Sequence, residues 1–411
     1  MATQGERHDL LIAGGRLLDP GQGLDGLMDV AVSDGRIVRI ESDMAGAAAH
    51  RVLDAAGLLV VPGLVDLHTH VAAGLGALPA DPHAITPDVA GVFSGVTTVV
   101  DAGTAGAANA AGFVNHVAAD AKTRVIGFLN AGKRGILHAP EVREPADMDV
   151  AAAVAAIRAR PDVLRGIKVR MLSPLIVELG MELPRAAAAM AREAGVPLMA
   201  HVGDIYGDHP IAAELTPRLL GEVLAPGDIV AHACSAHVGA LLSGRELLPE
   251  APAARERGVL FDAAVGRANF DFEAARAVLD QGLIPDIIST DMVGVARFDL
   301  VHSLTECMGK FLALGLSLED VVRMTTSAPA QALGMQDEIG ALKPGRVADI
   351  SILEAVEGDW VFRDMAGGSR RGRVALRPRA AVRAGSVVPL DYGPRPWGWL
   401  PESAATAGET M

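Results

Sequence analysis

Cysteine is scarce in this sequence, since Cys234 and Cys307 are the only two among 411 residues. Two thiols cannot build a disulfide framework, and they suit a reducing cytoplasm, where we expect the protein to reside. Residues 1–8 lack the basic and then apolar pattern of a secretion signal. No apolar run reaches the roughly 18 residues that a membrane-spanning helix needs, so we expect no membrane partner.

Aromatic side chains are also few, at 3% of the chain, and positive charge is in the minority. The sequence has 36 lysines and arginines and 50 aspartates and glutamates, so the net charge is −14. No basic run occurs. A surface that stacks bases or binds a phosphate backbone is therefore not expected, and we predict no nucleic-acid partner. Hydrophobic residues make up 50%, which is enough for a large core and excludes wholesale disorder.

Short apolar runs alternate with alanine-rich helical patterns through the middle of the chain. Runs that are apolar throughout are typical of strands buried on both faces of a parallel sheet. The runs lie at residues 61–67, 96–101, 124–130, 164–170, 196–202, 228–233, 258–263 and 286–291. Eight strand–helix units predict an α/β fold, a (β/α)₈ TIM barrel. A doubly wound open sheet is the alternative, but no Gly-x-Gly-x-x-Gly follows the first strand.

Both ends of the chain have a different pattern, with short alternating strands separated by glycine-containing turns. We predict that residues 1–60 and 338–391 together form a small β-sandwich domain built from both termini. Residues 61–337 would form the barrel, and residues 392–411 an extended C-terminal tail.

The first barrel strand ends in His68-Thr69-His70. Residues i and i+2 of a strand point to the same side, so the two imidazoles project together at the end where barrel enzymes place their sites. Two converging imidazoles suit a divalent metal. Taken alone, the pair fits a metal site and two ordinary structural histidines equally well.

Other strands also end in side chains that can bind metals or react. Lys168 lies inside the fourth apolar run, where burial favours its neutral form, which can react with carbon dioxide to give a carbamate. By itself an ion pair with a nearby carboxylate is the simpler interpretation of such a lysine. The fifth, sixth and eighth runs end at His201, His232 and Asp291. Because all these positions belong to one ring of strand ends, we expect the side chains to meet on the barrel axis.

Longer motifs resemble those of the amidohydrolase superfamily of metal-dependent hydrolases. The resemblance extends over nearly the whole chain and includes GLLVVPGLVDLHTH at 57–70 and GALKPGRVADI at 340–350. Within that superfamily, GVTTVVDAG at 95–103 and GIKVR at 166–170 are similar to the dihydroorotase-like amidohydrolase/deacetylase branch.

The resemblance implies two divalent metal ions. His68, His70 and Asp291 would hold the more buried ion, and His201 and His232 would hold the other. Zinc is the expected metal, although manganese, cobalt or iron fit the same nitrogen and oxygen donors.

The resemblance also implies a mechanism and a substrate class. Lys168, carboxylated, would bridge the two ions, and a bridging hydroxide would attack the substrate carbonyl. Asp291 would act as general base and then general acid. The substrate would be a small N-acyl or O-acyl compound, so amides and carboxylic esters are both expected. Two alternatives are ring opening of a cyclic amide, imide or lactone, and a non-catalytic relative that kept the fold. Barrels of this family are often oligomeric, so we expect a homo-oligomer.

Several departures from the family pattern bear on the substrate. Ala72 stands where dihydroorotases usually carry an arginine, which disfavours orotate chemistry. Val265 stands where the branch usually has a histidine. Arg170 and Arg267 are candidates for binding an anionic group of the substrate. The alternatives are a salt bridge at the barrel rim for Arg170 and a solvated loop residue for Arg267.

Overall fold

The computed structural model describes residues 7–44, 47–75, 85–294, 296–298, 300–391, 393 and 398–404. The strands of this part of the chain are β1 (His8–Asp19), β2 (Leu24–Ser33), β3 (Arg36–Glu41), β4 (Ala49–Asp54), β5 (Leu59–Pro62), β6 (Leu64–Thr69), β7 (Val96–Gly106), β8 (Arg124–Asn130), β9 (Leu164–Arg170), β10 (Leu198–His201), β11 (Ile229–Ala231), β12 (Leu242–Ser243), β13 (Glu246–Leu247), β14 (Leu260–Asp262), β15 (Ile350–Arg363), β16 (Ser369–Arg383), β17 (Ser386–Val388) and β18 (Glu402–Ser403). The α-helices are α1 (Pro87–Ala90), α2 (Ala110–Gly112), α3 (Val150–Ala159), α4 (Leu175–Leu179), α5 (Glu182–Ala194), α6 (Ile211–Arg218), α7 (Glu250–Glu256), α8 (Phe272–Asp280), α9 (Leu304–Ala313), α10 (Leu318–Arg323) and α11 (Ser327–Ala332).

Seven parallel strands form the wall of the barrel, in the order β14-β11-β10-β9-β8-β7-β6. Residues 286–292 connect the two edges of this sheet, because Ile287 pairs in parallel with Asp262 and Met292 pairs with Thr69. The predicted eighth strand, residues 286–291, lies in this segment, which pairs through isolated bridges rather than as a regular strand, and φ at Asp291 is 47°. The predicted TIM-like α/β fold is confirmed.

A mixed sheet contains strands from both ends of the chain, in the order β17-β16-β15-β5-β1-β2-β3. Apolar residues of both ends share one core beneath it, including Leu10, Val30, Ile350 and Val382. The prediction that both termini build a β-rich unit is thus confirmed, as a mixed sheet. The boundaries 1–60, 61–337 and 338–391 remain predictions.

Part of the predicted C-terminal tail can be described. Residues 392, 394–397 and 405–411 lie outside the described part of the chain. Within the remainder, Glu402 and Ser403 of β18 pair antiparallel with Val361 and Trp360 of β15. This short stretch of the tail is therefore extended and adds a strand to the mixed sheet.

The predicted first barrel strand is divided in two at Gly63. The strand β5 before this glycine belongs to the terminal sheet, and β6 after it belongs to the barrel. A Cβ at Gly63 would lie 2.2 Å from the Thr97 hydroxyl oxygen, so only glycine fits at this junction. Its N–H donates to the carbonyl oxygen of Asp349 at 2.8 Å, which ties the barrel entrance to the terminal sheet.

The inside of the barrel changes from apolar to polar along the strands. Val65, Val100 and Ile126 pack there against Leu333 and Met335, which both follow α11. His68, His201 and His232 lie at or just after the carboxyl ends of β6, β10 and β11. Burying apolar side chains at one end leaves the carboxyl ends of the strands for chemistry.

Candidate metal centre

Three of the predicted ligands form a compact buried group at the end of β6. Nε2 of His70 lies 3.0 Å from Oδ1 of Asp291, and Nε2 of His68 lies 3.4 Å from the same oxygen. One ligand atom of each residue can be chosen so that all lie within 4.8 Å of one another. The group is held together because the Asp291 N–H donates to the His68 carbonyl at 2.7 Å. Such a His-His-Asp group is a metal site by donor type and spacing.

The other two predicted histidines pack beside this group. The ring centroids of His201 and His232 are 4.0 Å apart, and those of His68 and His232 are 5.1 Å apart. Nδ1 of His232 lies 2.8 Å from the Ala264 carbonyl oxygen and must donate to it, whereas Nε2 is buried without a hydrogen-bond partner. This leaves the Nε2 lone pair of His232 available to a ligand.

Lys168 lies fully buried among the histidines. Its Nζ is 2.9 Å from Nε2 of His68 and 3.5 Å from the sulfur of Met199. Within the described residues it forms no ion pair with a carboxylate, so the simpler interpretation of this lysine is not what the structure shows. Burial lowers the pKa of Lys168 to about 7. A Cβ at Gly103 of β7 would lie 2.9 Å from Cβ and Cγ of Lys168, so this glycine leaves the space that the lysine stem occupies.

Burial also determines the charge of the imidazoles. It lowers the pKa of His68 and of His201 well below the usual value, and that of His232 to about 4. Burial alone would raise the pKa of Asp291, but the hydrogen bond with His70 and the nearby basic groups of His232 and Lys168 outweigh it and lower the pKa. The site therefore combines the neutral imidazoles of His68, His201 and His232 with an ionised carboxylate, which is the protonation state that metal ligands require.

Two further aspartates support the site, and neither was predicted. Asp262 Oδ2 lies 3.7 Å from Nδ1 of His68, and Asp66 accepts hydrogen bonds from the Thr290 N–H at 2.9 Å and hydroxyl at 2.7 Å. Burial raises the pKa of each carboxyl to about 7. Both residues belong to apolar barrel strands. A carboxylate inside an apolar run was therefore the sequence signal that could have identified them as site residues.

A cavity of about 290 Å³ opens onto these residues. Its lining comprises His68, His70, Ile136, Ala139, Lys168, Arg170, His201, Ile205, Tyr206, Arg267, Ala268, Asn269, Asp291 and Val293. Both predicted arginines therefore reach the cavity. His232 lies behind the lining and is fully buried.

Arg170 has its charge balanced within the protein. Its guanidinium forms an ion pair with the buried carboxylate of Glu141 and donates to the Tyr206 hydroxyl at 3.3 Å. The rim salt bridge that the sequence left open is thus present. Glu141 and Tyr206 carry no sequence signal of their own, because both lie in loops far from the lysine motif.

Comparison with known proteins places this chain in a family. The model of the amidohydrolase family matches residues 59–375. The chain belongs to the amidohydrolase family. A curated deacetylase of Brucella anthropi is 32% identical over 377 residues, which is 90% of this chain and 90% of that protein. The amidohydrolase is thus a metal-dependent hydrolase acting on carbon–nitrogen bonds.

Solved structures resemble this amidohydrolase over almost its full length. A crystal structure of a dihydroorotase covers 96% of this chain and 99% of its own, with a TM-score of 0.83 and 28% identity. A crystal structure of an adenine deaminase covers 93% of this chain and 100% of its own, with a TM-score of 0.83 and 27% identity.

Among the described helices of this amidohydrolase, none has the length and apolar character that a membrane span requires.

Proposed function

We propose that this amidohydrolase uses two divalent metal ions to hydrolyse small N-acyl or O-acyl compounds. His68, His70 and Asp291 would hold one ion, and His201 and His232 the second. Zinc is the expected metal, with manganese, cobalt or iron as the other candidates. The single observation that carries the proposal is the convergence of histidines from three strands, with Lys168 and Asp291, at the base of one cavity.

The residues fit such a metal pair by an unused hydrogen-bonding atom. Nε2 of His232 is buried without a hydrogen-bond partner. Leaving a buried polar atom unpaired costs about 1–3 kcal/mol, so a native site normally satisfies it. A bound cation would satisfy the lone pair of His232.

Lys168 fits the role of a bridge after carboxylation. It is fully buried, lies 2.9 Å from Nε2 of His68, and is paired with no carboxylate in the described structure. Burial favours the neutral amine, which is the form that adds carbon dioxide. The resulting carbamate would supply the negative charge that this group of neutral imidazoles lacks.

Metal ions bound here would lower the pKa of water and polarise the substrate carbonyl. Asp291 would accept the proton of the attacking water and deliver it to the leaving nitrogen or oxygen. Its Oδ1 faces the cavity histidines at 3.0–3.4 Å, and its Oδ2 is held by Asn269. Arg267, which lines the same cavity, would bind an anionic group of the substrate.

The proposal is tested by metal analysis and a substrate screen on the same preparation. Protein produced with added zinc and bicarbonate should contain close to two divalent ions per chain. It should hydrolyse some member of a panel of N-acyl amino acids and O-acyl hydroxy acids. Protein that binds no metal under these conditions would contradict the proposal.

Ring opening of a cyclic amide, imide or lactone is a second candidate, favoured by the similarity to a dihydroorotase structure. Ala72 argues against orotate-type substrates, because it is fully buried in the apolar core and offers no group to bind a carboxylate. Including cyclic imides and lactones in the panel separates the two candidates. Turnover restricted to the cyclic compounds would replace the first.

A further inference from the structure

The side-chain amide of Asn269 contacts the carboxylate of Asp291. Nδ2 of Asn269 donates to Oδ2 of Asp291 at 3.0 Å, and Asn269 is 3% exposed. We propose that Asn269 is a positioning residue, which fixes the orientation of the Asp291 carboxylate toward the histidines. This inference rests on the proposed function, in which Asp291 is both a metal ligand and the proton acceptor.

The orientation of the amide follows from its partner. An ionised carboxylate accepts hydrogen bonds and cannot donate them, so only the NH₂ group of Asn269 can face Asp291. The Oδ1 atom of Asn269 must then point away, and it is buried without a hydrogen-bond partner. Leaving this oxygen unpaired costs free energy. The NH₂ group nevertheless faces the carboxylate of Asp291.

The contact gives the two oxygens of Asp291 different environments. Oδ1 lies 3.0 Å from Nε2 of His70 and 3.4 Å from Nε2 of His68, whereas Oδ2 faces Asn269. The torsion that turns an aspartate carboxylate is broad and almost two-fold, so without a restraint the oxygens exchange readily. Asn269 supplies the restraint from the side opposite the histidines.

Gly266 makes space for this contact. Its φ is +59°, and a Cβ there would lie 2.4 Å from Oδ2 of Asp291 and 2.9 Å from Nδ2 of Asn269. Any side chain at this position would thus push apart the two groups that form the hydrogen bond.

The loop that carries Asn269 is anchored on both sides of that residue. Nε2 of His237 donates to the carbonyl oxygen of Ala268 at 3.0 Å. On the other side, the rings of Phe270 and Phe272 pack edge to face with centroids 5.2 Å apart in the core. Because its backbone is held on both sides, Asn269 can restrain the carboxylate of Asp291 instead of moving with it.

The experiment compares Asn269→Ala and Asn269→Leu with the wild-type protein. Asn269→Leu keeps the approximate size of the side chain and removes the NH₂ donor without adding a charge, so it separates orientation from space filling. Asn109→Ala is the control, because its amide bonds two backbone groups outside the cavity lining, the Gly106 N–H and the Arg134 carbonyl. Each protein is assayed for kcat and KM at saturating zinc, for zinc affinity by competition with a chelator, and for melting temperature.

A positioning role predicts that both Asn269 variants lose about 10- to 100-fold in kcat or zinc affinity, the usual effect of removing a group that orients a ligand. KM should stay close to the wild-type value, and Asn109→Ala should behave as wild type. Wild-type kcat and zinc affinity in Asn269→Leu would show that the side chain only fills space and would overturn the inference. Metal content and hydrolysis by the wild-type protein test the proposed function. Chelator competition tests the Asn269 contact separately, because it needs no substrate.

Discussion

Nζ of Lys168 lies 2.9 Å from Nε2 of His68, although the two residues are 100 positions apart in the sequence. Within the described residues this buried amine forms no ion pair with a carboxylate. We expect Lys168→Ala to lose most of its metal and most of its activity, because the proposed bridging carbamate could not form. Elemental analysis and a hydrolysis assay measure both losses, and a short carboxylic acid should partly restore them.

Lys310→Met provides a matched control for this experiment. Lys310 is also a buried lysine, but its Nζ donates to the Leu300 carbonyl at 2.9 Å, away from the histidines. Its substitution should leave the metal content unchanged even where it lowers stability. Full activity in Lys168→Ala would exclude the bridging role.

The sequence predicted those site residues that end apolar strands. His68, His201 and His232 follow runs whose pattern indicates a strand, and parallel strands bring their ends together. Asn269 and Glu141 could not be predicted in the same way, because they lie in loops whose path depends on long-range packing. The eighth strand was predicted to end at Asp291, but the left-handed backbone there was not predicted, since such a conformation at a non-glycine residue has no clear sequence signal.

Glu141 is the partner of a nearly buried arginine, and removing its charge should destabilise the protein. Glu141→Gln keeps the size of the side chain but leaves the Arg170 cation without its counter-ion. Breaking a buried ion pair on one side costs about 3–5 kcal/mol, which chemical denaturation at neutral pH measures. Glu354→Gln is the control, because its pair with Arg377 is more exposed and should contribute about 1 kcal/mol or less.

The effect of Glu141→Gln should depend on pH. Burial alone would raise the pKa of Glu141, but the charge and hydrogen bond of Arg170 outweigh it, so the pKa lies below its usual value. A carboxyl whose pKa is lower in the folded state stabilises the protein above its unfolded pKa of about 4.3 and loses that contribution as pH falls. The stability difference between wild type and Glu141→Gln should therefore shrink below about pH 4. A difference that is constant from pH 7 to pH 3 would contradict the ion-pair explanation.

Arg267 should contribute to the recognition of anionic substrates, because its side chain lines the cavity beside the histidines. Arg267→Met should raise KM for an acyl compound with a free carboxylate by roughly 10- to 100-fold, the value of one charged hydrogen bond. KM for a neutral analogue should change little. Arg245→Met, at a side chain that is 75% exposed outside this cavity, is the control. Equal effects on charged and neutral substrates would argue that Arg267 shapes the cavity without binding an anion.

Val265 stands where the branch usually has a histidine, and its side chain packs away from the cavity. The side chain is buried in the apolar core that includes helix residues such as Phe272 and Val278, and it is absent from the cavity lining. Val265→His should therefore lower the free energy of unfolding by about 1–3 kcal/mol, through overpacking and an unpaired buried nitrogen, without changing the metal content. Val265→Leu, which adds bulk without a polar atom, separates these two causes in the same denaturation experiment. A histidine variant that is as stable as wild type and has altered kcat or KM would show that this position faces the substrate.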